Sequence, residues 1–254
     1  MTFCFGSRKV PRETLGEENI PVFVEMVQKE FPGVWNALQF MERLWQPQVT
    51  SHRWTMPDGF EVIQWNQGLE ETVVTLFGQQ VAVCRQVPVR LKRGISLLAN
   101  ITHSVDGLIC REMIKRAQFD PVQANLKLRG YWAEAGHPNI DPLVALWRRT
   151  GFLSVDLVNA LDQSTFDRLS PSERLEVILM LEHLQDKESF YLIPIHDSFS
   201  CEVQHCNDMC KMYRYIMQQV WDSDILASIA SDITGQPVRI SKQPATLDGV
   251  HMIC

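Results

Sequence analysis

The sequence lacks the long apolar runs of membrane and secreted proteins. No apolar core near its start is long enough for a signal peptide, and no window approaches the uncharged length of a membrane span. Repeats and low-complexity tracts are missing as well. With 45% hydrophobic and 21% charged residues, the 254-residue chain has the composition of a globular protein with a real core. These features predict a cytoplasmic protein of one large or two small domains.

An excess of positive charge is also missing. The chain carries 24 Lys and Arg against 30 Asp and Glu, which gives a net charge of −6. A free-standing nucleic-acid-binding protein is usually basic. The charge balance therefore argues against that role unless a partner supplies the positive field.

Paired CxxC motifs are absent from the seven cysteines. An odd number of cysteines in a chain of this size indicates reduced thiols in a cytosol. Cys201, Cys206 and Cys210, with His205 among them, are residue types that bind zinc. Because no paired CxxC accompanies them, packed free thiols are the favoured interpretation and zinc is the alternative.

Hydrophobic spacing predicts helices and short strands in the first part of the chain. Residues 20–45 have helical spacing with one break near Pro32. Residues 53–65 predict a strand that enters and leaves a turn at 57–59. In residues 69–89, two β-branched runs flank a Gly-Gln-Gln turn and predict a β-hairpin.

The second part of the chain is predicted to be mainly helical. Residues 97–118 predict one helix, and residues 119–187 contain at least two more. One of these begins at Ser170, which has Glu173 three residues later in the pattern of a capping box. A further helix is predicted from about residue 206 to 221.

The stretch YLIPIHDSFSCEV, residues 191–203, interrupts an apolar run with His196 and Asp197. Its first five residues are apolar on both faces, which predicts a strand buried on both sides. A tight turn would then place the Asp197 carboxylate at a hairpin tip. A carboxylate between buried strands is costly unless it is paired or holds a cation, and hard oxygen ligands suit Mg²⁺. An ordinary turn is the alternative, since Asp and Ser favour turns.

This stretch resembles the third palm motif of the phage-type, single-subunit RNA polymerases, where an apolar strand precedes His-Asp-Ser-Phe. The related family A DNA polymerases usually have His-Asp-Glu, so Ser198 favours the RNA-synthesising branch. Three more segments are similar to the family in the expected order: MTFCFGSRK to the end of the fingers motif, TMPDGF to the stretch before the promoter-reading hairpin, and NITHSVDGLICR to a helix near the primer end.

The resemblance implies roles for individual residues. Asp197 would bind catalytic Mg²⁺, as one of two metals about 3.5–4 Å apart that hold the attacking and leaving oxygens. His196 would support the primer terminus or the metal site. His103 would contact the growing end, with Arg111 two turns away on the same helix face. Without the resemblance, His103 would more often be a satisfied buried histidine.

At the start of the chain, Phe5, Gly6 and Ser7 would lie under the incoming nucleotide and the template base, where an aromatic ring offers a stacking face. The relatives have Tyr at the position of Phe5, and its hydroxyl helps to select ribose. Since Phe5 lacks that hydroxyl, ribose selection would have to rest on other groups.

The hairpin of residues 69–89 would be the promoter-specificity element. Gln79, Gln80 and Arg85 can hydrogen-bond to base edges. A basic cluster of Arg90, Lys92 and Arg93 follows the hairpin, and its side chains are suited to contact with phosphates. A solvent-facing β-ribbon and a solvated basic surface are the alternatives.

The chain begins inside the fingers motif, so the other metal-binding aspartate and the nucleotide-binding Lys and Arg of the family are not in it. We therefore predict a split DNA-directed RNA polymerase of a phage-infected bacterium. A second subunit would supply those residues and most of the thumb, and the complex would bind DNA template, RNA product and NTPs. A fragment of a longer chain, a family A-like DNA polymerase fragment and a non-catalytic polymerase-like accessory protein are the alternatives.

The resemblance also predicts the fold class and the domain plan. The fold would be α+β, a mainly helical fingers and palm portion with a small antiparallel palm sheet and a β-hairpin. In order, the plan has fingers in 1–50, strands and the hairpin in 51–98, a palm helix in 99–118, an inserted helical region in 119–187, and the catalytic hairpin with the C-terminal segment in 188–254. The inserted region has mixed charge, which favours protein contact over DNA contact. Pro194 predicts that its strand is bulged or paired on one side only.

Overall fold

The computed structural model describes residues 9–94, 96–132, 140–195 and 198–241. Within these ranges the chain is mainly helical and has three separate two-stranded sheets. The predicted α+β class is therefore confirmed. No helix in these ranges is both long and apolar enough to cross a membrane.

Eleven helices and six strands are present in the described ranges. The helices are α1 (Lys9–Leu15), α2 (Ile20–Glu30), α3 (Pro32–Arg43), α4 (Ser96–Ala117), α5 (Pro121–Leu128), α6 (Ile140–Thr150), α7 (Val155–Ala160), α8 (Gln163–Arg168), α9 (Pro171–Gln185), α10 (Cys206–Asp222) and α11 (Ile225–Thr234). The strands are β1 (Ser51–Thr55), β2 (Glu61–Trp65), β3 (Gln67–Leu76), β4 (Gln79–Pro88), β5 (Ile193–Ile195) and β6 (Ser198–Ser200).

The chain divides into two compact units. The first unit contains the residues up to 54 together with 61–104 and 229–236. The second unit contains 55–60, 105–228 and the residues after 236. Helix α4 contributes residues to both.

Local signals in the sequence account for the helix boundaries that were predicted. Helix α3 begins at Pro32, where the missing N–H and the restricted φ of proline suit the first helical position. The Ser170 hydroxyl accepts from the Glu173 N–H while the Glu173 carboxylate accepts from the Ser170 N–H, so the predicted capping box is confirmed. Helices α1 and α11 were not predicted.

In the first unit, Trp54 and Trp45 connect segments that are distant in sequence. The Trp54 side chain is 2% exposed, and its indole N–H donates to the Ser104 hydroxyl at 3.1 Å. Trp45 donates to the carbonyl of Leu91 at 2.9 Å. These buried donors are satisfied, as a buried indole requires.

Strands β3 and β4 form an antiparallel ribbon, hereafter the β3–β4 ribbon. Leu76 pairs with Gln79, so the turn lies at Phe77 and Gly78. The predicted hairpin is confirmed, although the turn is earlier than the predicted Gly-Gln-Gln. Nearly every residue of the ribbon is exposed on both faces.

The inserted region 119–187 has a hydrophobic core of its own, with five helices among its described residues. Val177 and Leu181 of α9 belong to that core together with Val158 of α7. Lys127 is buried beside it and donates to three carbonyls, those of Val158, Asn159 and Leu161, at 2.8, 2.9 and 3.1 Å. Burial lowers the pKa of Lys127 to about 8. The ammonium thus satisfies the carbonyls that α7 leaves free at its end.

Strands β5 and β6 form the second antiparallel hairpin, in which Pro194 lies opposite Phe199. In the described residues β5 pairs with β6 alone, which agrees with the prediction that the strand of Pro194 is paired on one side. The prediction that the strand is buried on both faces was wrong. Tyr191, Ile193 and Ile195 are 83%, 61% and 61% exposed, because alternate residues point away from the packed face and no described element covers them.

A buried ion pair connects α4 to the inserted region. Arg116 donates through Nε to Glu112 at 2.7 Å, and both side chains are essentially fully buried. The Val155 N–H donates to both oxygens of Glu112 at 3.2 Å. Burial raises the pKa of Glu112, and the Arg116 charge opposes that rise. The Arg116 guanidinium also lies 5.5 Å from the Tyr215 ring of α10.

Replacing Arg116 with Met should lower the free energy of unfolding by about 3–5 kcal/mol, because it leaves the Glu112 carboxylate buried without its cation. The double variant Glu112→Leu/Arg116→Met removes both charges and should recover part of that loss. Urea denaturation of the three proteins measures both effects. A double variant no more stable than Arg116→Met would contradict this account.

His183 stacks on Tyr215 with ring centroids 4.8 Å apart, and burial lowers its pKa from 6.5. The positive charges of Arg116 and Lys187 lower it further, while Asp186 and Asp208 oppose them. Below the unfolded value of 6.5, the unfolded chain gains a proton that the folded chain does not, so acid reduces the stability. The variant His183→Phe should therefore lose less stability than the wild type as pH falls through this window, as measured by thermal denaturation from pH 7 to 5. Parallel pH curves for the two proteins would be the contrary result.

Candidate functional site

Asp58 and Arg111 bring two of the motif segments together. Asp58 lies in the turn between β1 and β2, and its side chain is 2% exposed. Arg111 of α4 donates to it through Nε at 2.5 Å and through Nη2 at 3.1 Å. This fork geometry is the strong form of an arginine–carboxylate pair. TMPDGF and the end of NITHSVDGLICR, which are far apart in the sequence, therefore meet in the second unit.

Two neighbours of Arg111 determine where its side chain can lie: one contacts the guanidinium and the other leaves space for it. The Phe60 ring lies 4.3 Å from the guanidinium carbon. Gly107 lies one helical turn before Arg111, and a Cβ atom there would lie 3.2 Å from Arg111 Nη1. A glycine inside a helix is unfavourable by about 0.5–1 kcal/mol relative to alanine. Here it leaves room for the guanidinium along the helix surface.

The β5–β6 hairpin packs against the same helix. Ile109 and Met113 of α4 form a buried cluster with Leu192 and with Met212 of α10, and Phe199 of β6 packs against that cluster. Helix α4 therefore supports both the turn that contains Asp58 and the hairpin that flanks His196 and Asp197.

The segment before β5 is fixed at the end of α4. The Ala117 carbonyl accepts from the Phe190 N–H at 3.0 Å and from Lys187 Nζ at 3.2 Å. Burial lowers the pKa of Lys187 to about 8, and the charge of Asp208 opposes this. His205 stacks on Phe190 with ring centroids 4.7 Å apart. These contacts set where the hairpin begins.

The residues predicted to act directly on nucleotide and metal lie outside the described part of the chain. They are His196, Asp197, Phe5, Gly6 and Ser7. The strands beside the first pair are described, and Ile195 is the pairing partner of Ser198.

His103 and Arg111 both lie on α4, so the helix that was predicted to contain them is confirmed. His103 is exposed and belongs to the first unit. Arg111 belongs to the second unit, and its guanidinium is engaged with Asp58. The eight-residue spacing corresponds to a little more than two turns of α-helix.

The predicted promoter-contacting residues lie on different faces of the β3–β4 ribbon. Gln79 and Arg85 share one face, and Gln80 points to the other, because successive strand residues alternate. Arg85 pairs with Glu70 across the ribbon at 2.6 Å. The predicted basic cluster of Lys92 and Arg93, with Arg90, follows β4 and is exposed.

The described residues contain no group of three or more His, Cys, Asp or Glu side chains that could hold a metal ion. The cysteines in the described ranges are free thiols. Cys206 and Cys210 are exposed, so the expectation that the cluster is packed was wrong for these two. They lie on the outward side of α10, whereas the apolar side contains Met212 and Ile216.

Two structural roles were missed in the sequence. Asp58 as the partner of Arg111 and Gly107 as the clearance for its side chain both lie within quoted motif segments. Comparison with known proteins adds no relative, because no family model and no curated protein matches the chain.

Replacing Asp58 with Asn should lower the free energy of unfolding by about 1.5–3 kcal/mol, because a buried charge-assisted pair is lost. Asp156→Asn is a matched control, since Asp156 accepts from Lys115 at the same 2.5 Å but both side chains are partly exposed. Its effect should stay within about 1 kcal/mol. Chemical denaturation measures both, and equal losses would show that burial does not distinguish the pairs.

Proposed function

We propose that the chain is the catalytic C-terminal subunit of a two-subunit DNA-directed RNA polymerase. One observation carries the proposal: TMPDGF, the second half of α4 and the strands beside His196 and Asp197 meet in one unit. Each of these segments contains or flanks residues of a motif that resembles the phage-type RNA polymerases, and their packing together supports the proposal.

In this proposal, Asp197 holds Mg²⁺ that supports nucleotidyl transfer, and His196 supports the primer terminus or the metal site. Mg²⁺ accepts carboxylate oxygens and keeps positions for water and substrate phosphates. Asp58 is a positioning residue, because its carboxylate fixes the guanidinium of Arg111. His103 and Arg111 are assigned to the primer end, and Phe5, Gly6 and Ser7 to the nucleotide.

The partner supplies the second metal-binding aspartate, the fingers Lys and Arg, and most of the thumb. Apolar side chains on the outward face of β5 support this assignment. Ile193 and Ile195 of β5, and Tyr191 two residues before the strand, are exposed and lie close in sequence to the residue assigned to the metal. Exposed apolar surface of this kind is typical of a surface that another chain covers.

The variant Asp197→Asn should abolish RNA synthesis by the reconstituted pair of subunits on single-stranded DNA with rNTPs and Mg²⁺, because the metal loses a charged ligand. Its circular dichroism and melting temperature should match those of the wild type. Asp141→Asn is the control for charge, since Asp141 is 75% exposed in the inserted region and should leave activity unchanged. Full activity of Asp197→Asn would remove the metal assignment.

The second candidate function is DNA synthesis, which Phe5 favours because it lacks the hydroxyl that helps to select ribose. Offering the reconstituted pair dNTPs and rNTPs in parallel distinguishes the two reactions. An inactive pair that still binds DNA would instead indicate a non-catalytic accessory subunit.

A further inference from the structure

Phe77 occupies an unusual position at the tip of the β3–β4 ribbon. This residue is fully exposed to solvent. The ribbon stem places it away from any described core residue, since both strands are exposed on both faces. A fully exposed phenyl ring contributes none of the stabilisation that burial of an apolar side chain gives a fold.

The backbone at Phe77 is also unfavourable. Phe77 has φ +52° and Gly78 has φ +79°, so both residues of the turn lie in the left-handed region. Two-residue hairpins of this kind prefer Asn-Gly or Gly-Gly, and a bulky residue there is an outlier. The fold itself therefore gains nothing from Phe77 by burial or by turn geometry. Such outliers occur at ligand-contacting sites.

The side chains around the tip are uncharged and include two amides. No residue from Thr72 to Cys84 carries a charge. Gln79 and Gln80 follow the turn directly and point to opposite faces. Glutamine amides can donate to and accept from base edges, and an aromatic ring offers a face on which a base stacks. The tip therefore presents groups that recognise bases and none that bind phosphates.

The positive charge lies at the other end of the ribbon. Arg90, Lys92 and Arg93 follow β4 and are exposed. Leu91 among them is held by the Trp45 indole at 2.9 Å, and a Cβ atom at Gly94 would collide with the Trp45 ring. A ten-residue strand spans about 33 Å, so tip and cations are separated by several nucleotides of a single strand.

We propose that Phe77 stacks on an unpaired base of the DNA template, while Arg90, Lys92 and Arg93 contact phosphates of the same strand at the base of the ribbon. The proposal rests on the proposed function in taking DNA as the ligand. A duplex hides the faces of its bases, so the base must be unpaired or melted. A protein pocket would also accept Phe77, but the amides beside it and the exposed cations behind it favour nucleic acid.

The test is binding of the full-length chain to a fluorescein-labelled single-stranded oligonucleotide, without nucleotide, Mg²⁺ or a second subunit. Phe77→Asn removes the ring and installs the preferred Asn-Gly turn. It should raise the melting temperature but weaken binding about 5- to 150-fold, the range expected for one stacked base. Opposite changes in stability and affinity separate a contact residue from a structural one.

Two control variants sharpen the result. Phe77→Trp keeps an aromatic face and should bind like the wild type. Leu69→Ala removes an apolar side chain that is 77% exposed on the stem, and it should leave affinity unchanged.

Two further measurements test whether the contact is base stacking. The ratio of wild-type to Phe77→Asn affinities should be the same at low and high salt, because stacking releases no counterions. A 2-aminopurine base in the oligonucleotide should lose emission on binding to the wild type and not to Phe77→Asn.

Two results would overturn the proposal: no binding of the oligonucleotide by the wild type at low salt, or equal affinities for the wild type and Phe77→Asn. Because the assay contains no polymerase substrates, these results are independent of the Asp197→Asn experiment, which tests the proposed function itself.

Discussion

Burial of the second half of α4 is the constraint on which the second unit depends. This helix segment presents apolar side chains to the β5–β6 hairpin and α10, and the charged pair of Glu112 and Arg116 to the inserted region. Neither surface is stable against water alone, since the apolar area must be covered and the buried charges must be paired. The elements that satisfy these requirements are the same elements that position the candidate site.

Ion pairs of similar length have different roles in this protein because their surroundings differ. Asp58–Arg111 and Lys115–Asp156 are both 2.5 Å long, yet Asp58 is almost completely buried and the other pair is partly solvated. A solvated pair exchanges protein contacts for water contacts at little net gain, whereas a buried carboxylate cannot replace a lost cation with water. Asp58 therefore determines where Arg111 lies.

Sequence reasoning was accurate for local features and less so for exposure. The capping box at Ser170, the helix start at Pro32 and the two hairpins were predictable because a few neighbouring residues determine each of them. The exposure of Ile193 and Ile195 was not predictable, since an apolar run has the same sequence pattern whether its strand is covered on one face or on both faces. The pairing of Asp58 with Arg111 was also missed, because no local spacing relates residues so far apart.

By itself, the sequence determined the α+β class and most helix and strand positions, and it contained the motif segments that resemble the phage-type RNA polymerases. Periodicity, caps and turn residues act over a few residues, so they can be read without the fold. Only the tertiary structure decided that TMPDGF and the β5–β6 hairpin meet the second half of α4. It also decided that Gln79 and Gln80 point to opposite faces, that Phe77 is fully exposed at the tip, and that the inserted region has its own core. These features depend on which distant surfaces share a core, and burial energy sums over the whole chain rather than over any one stretch.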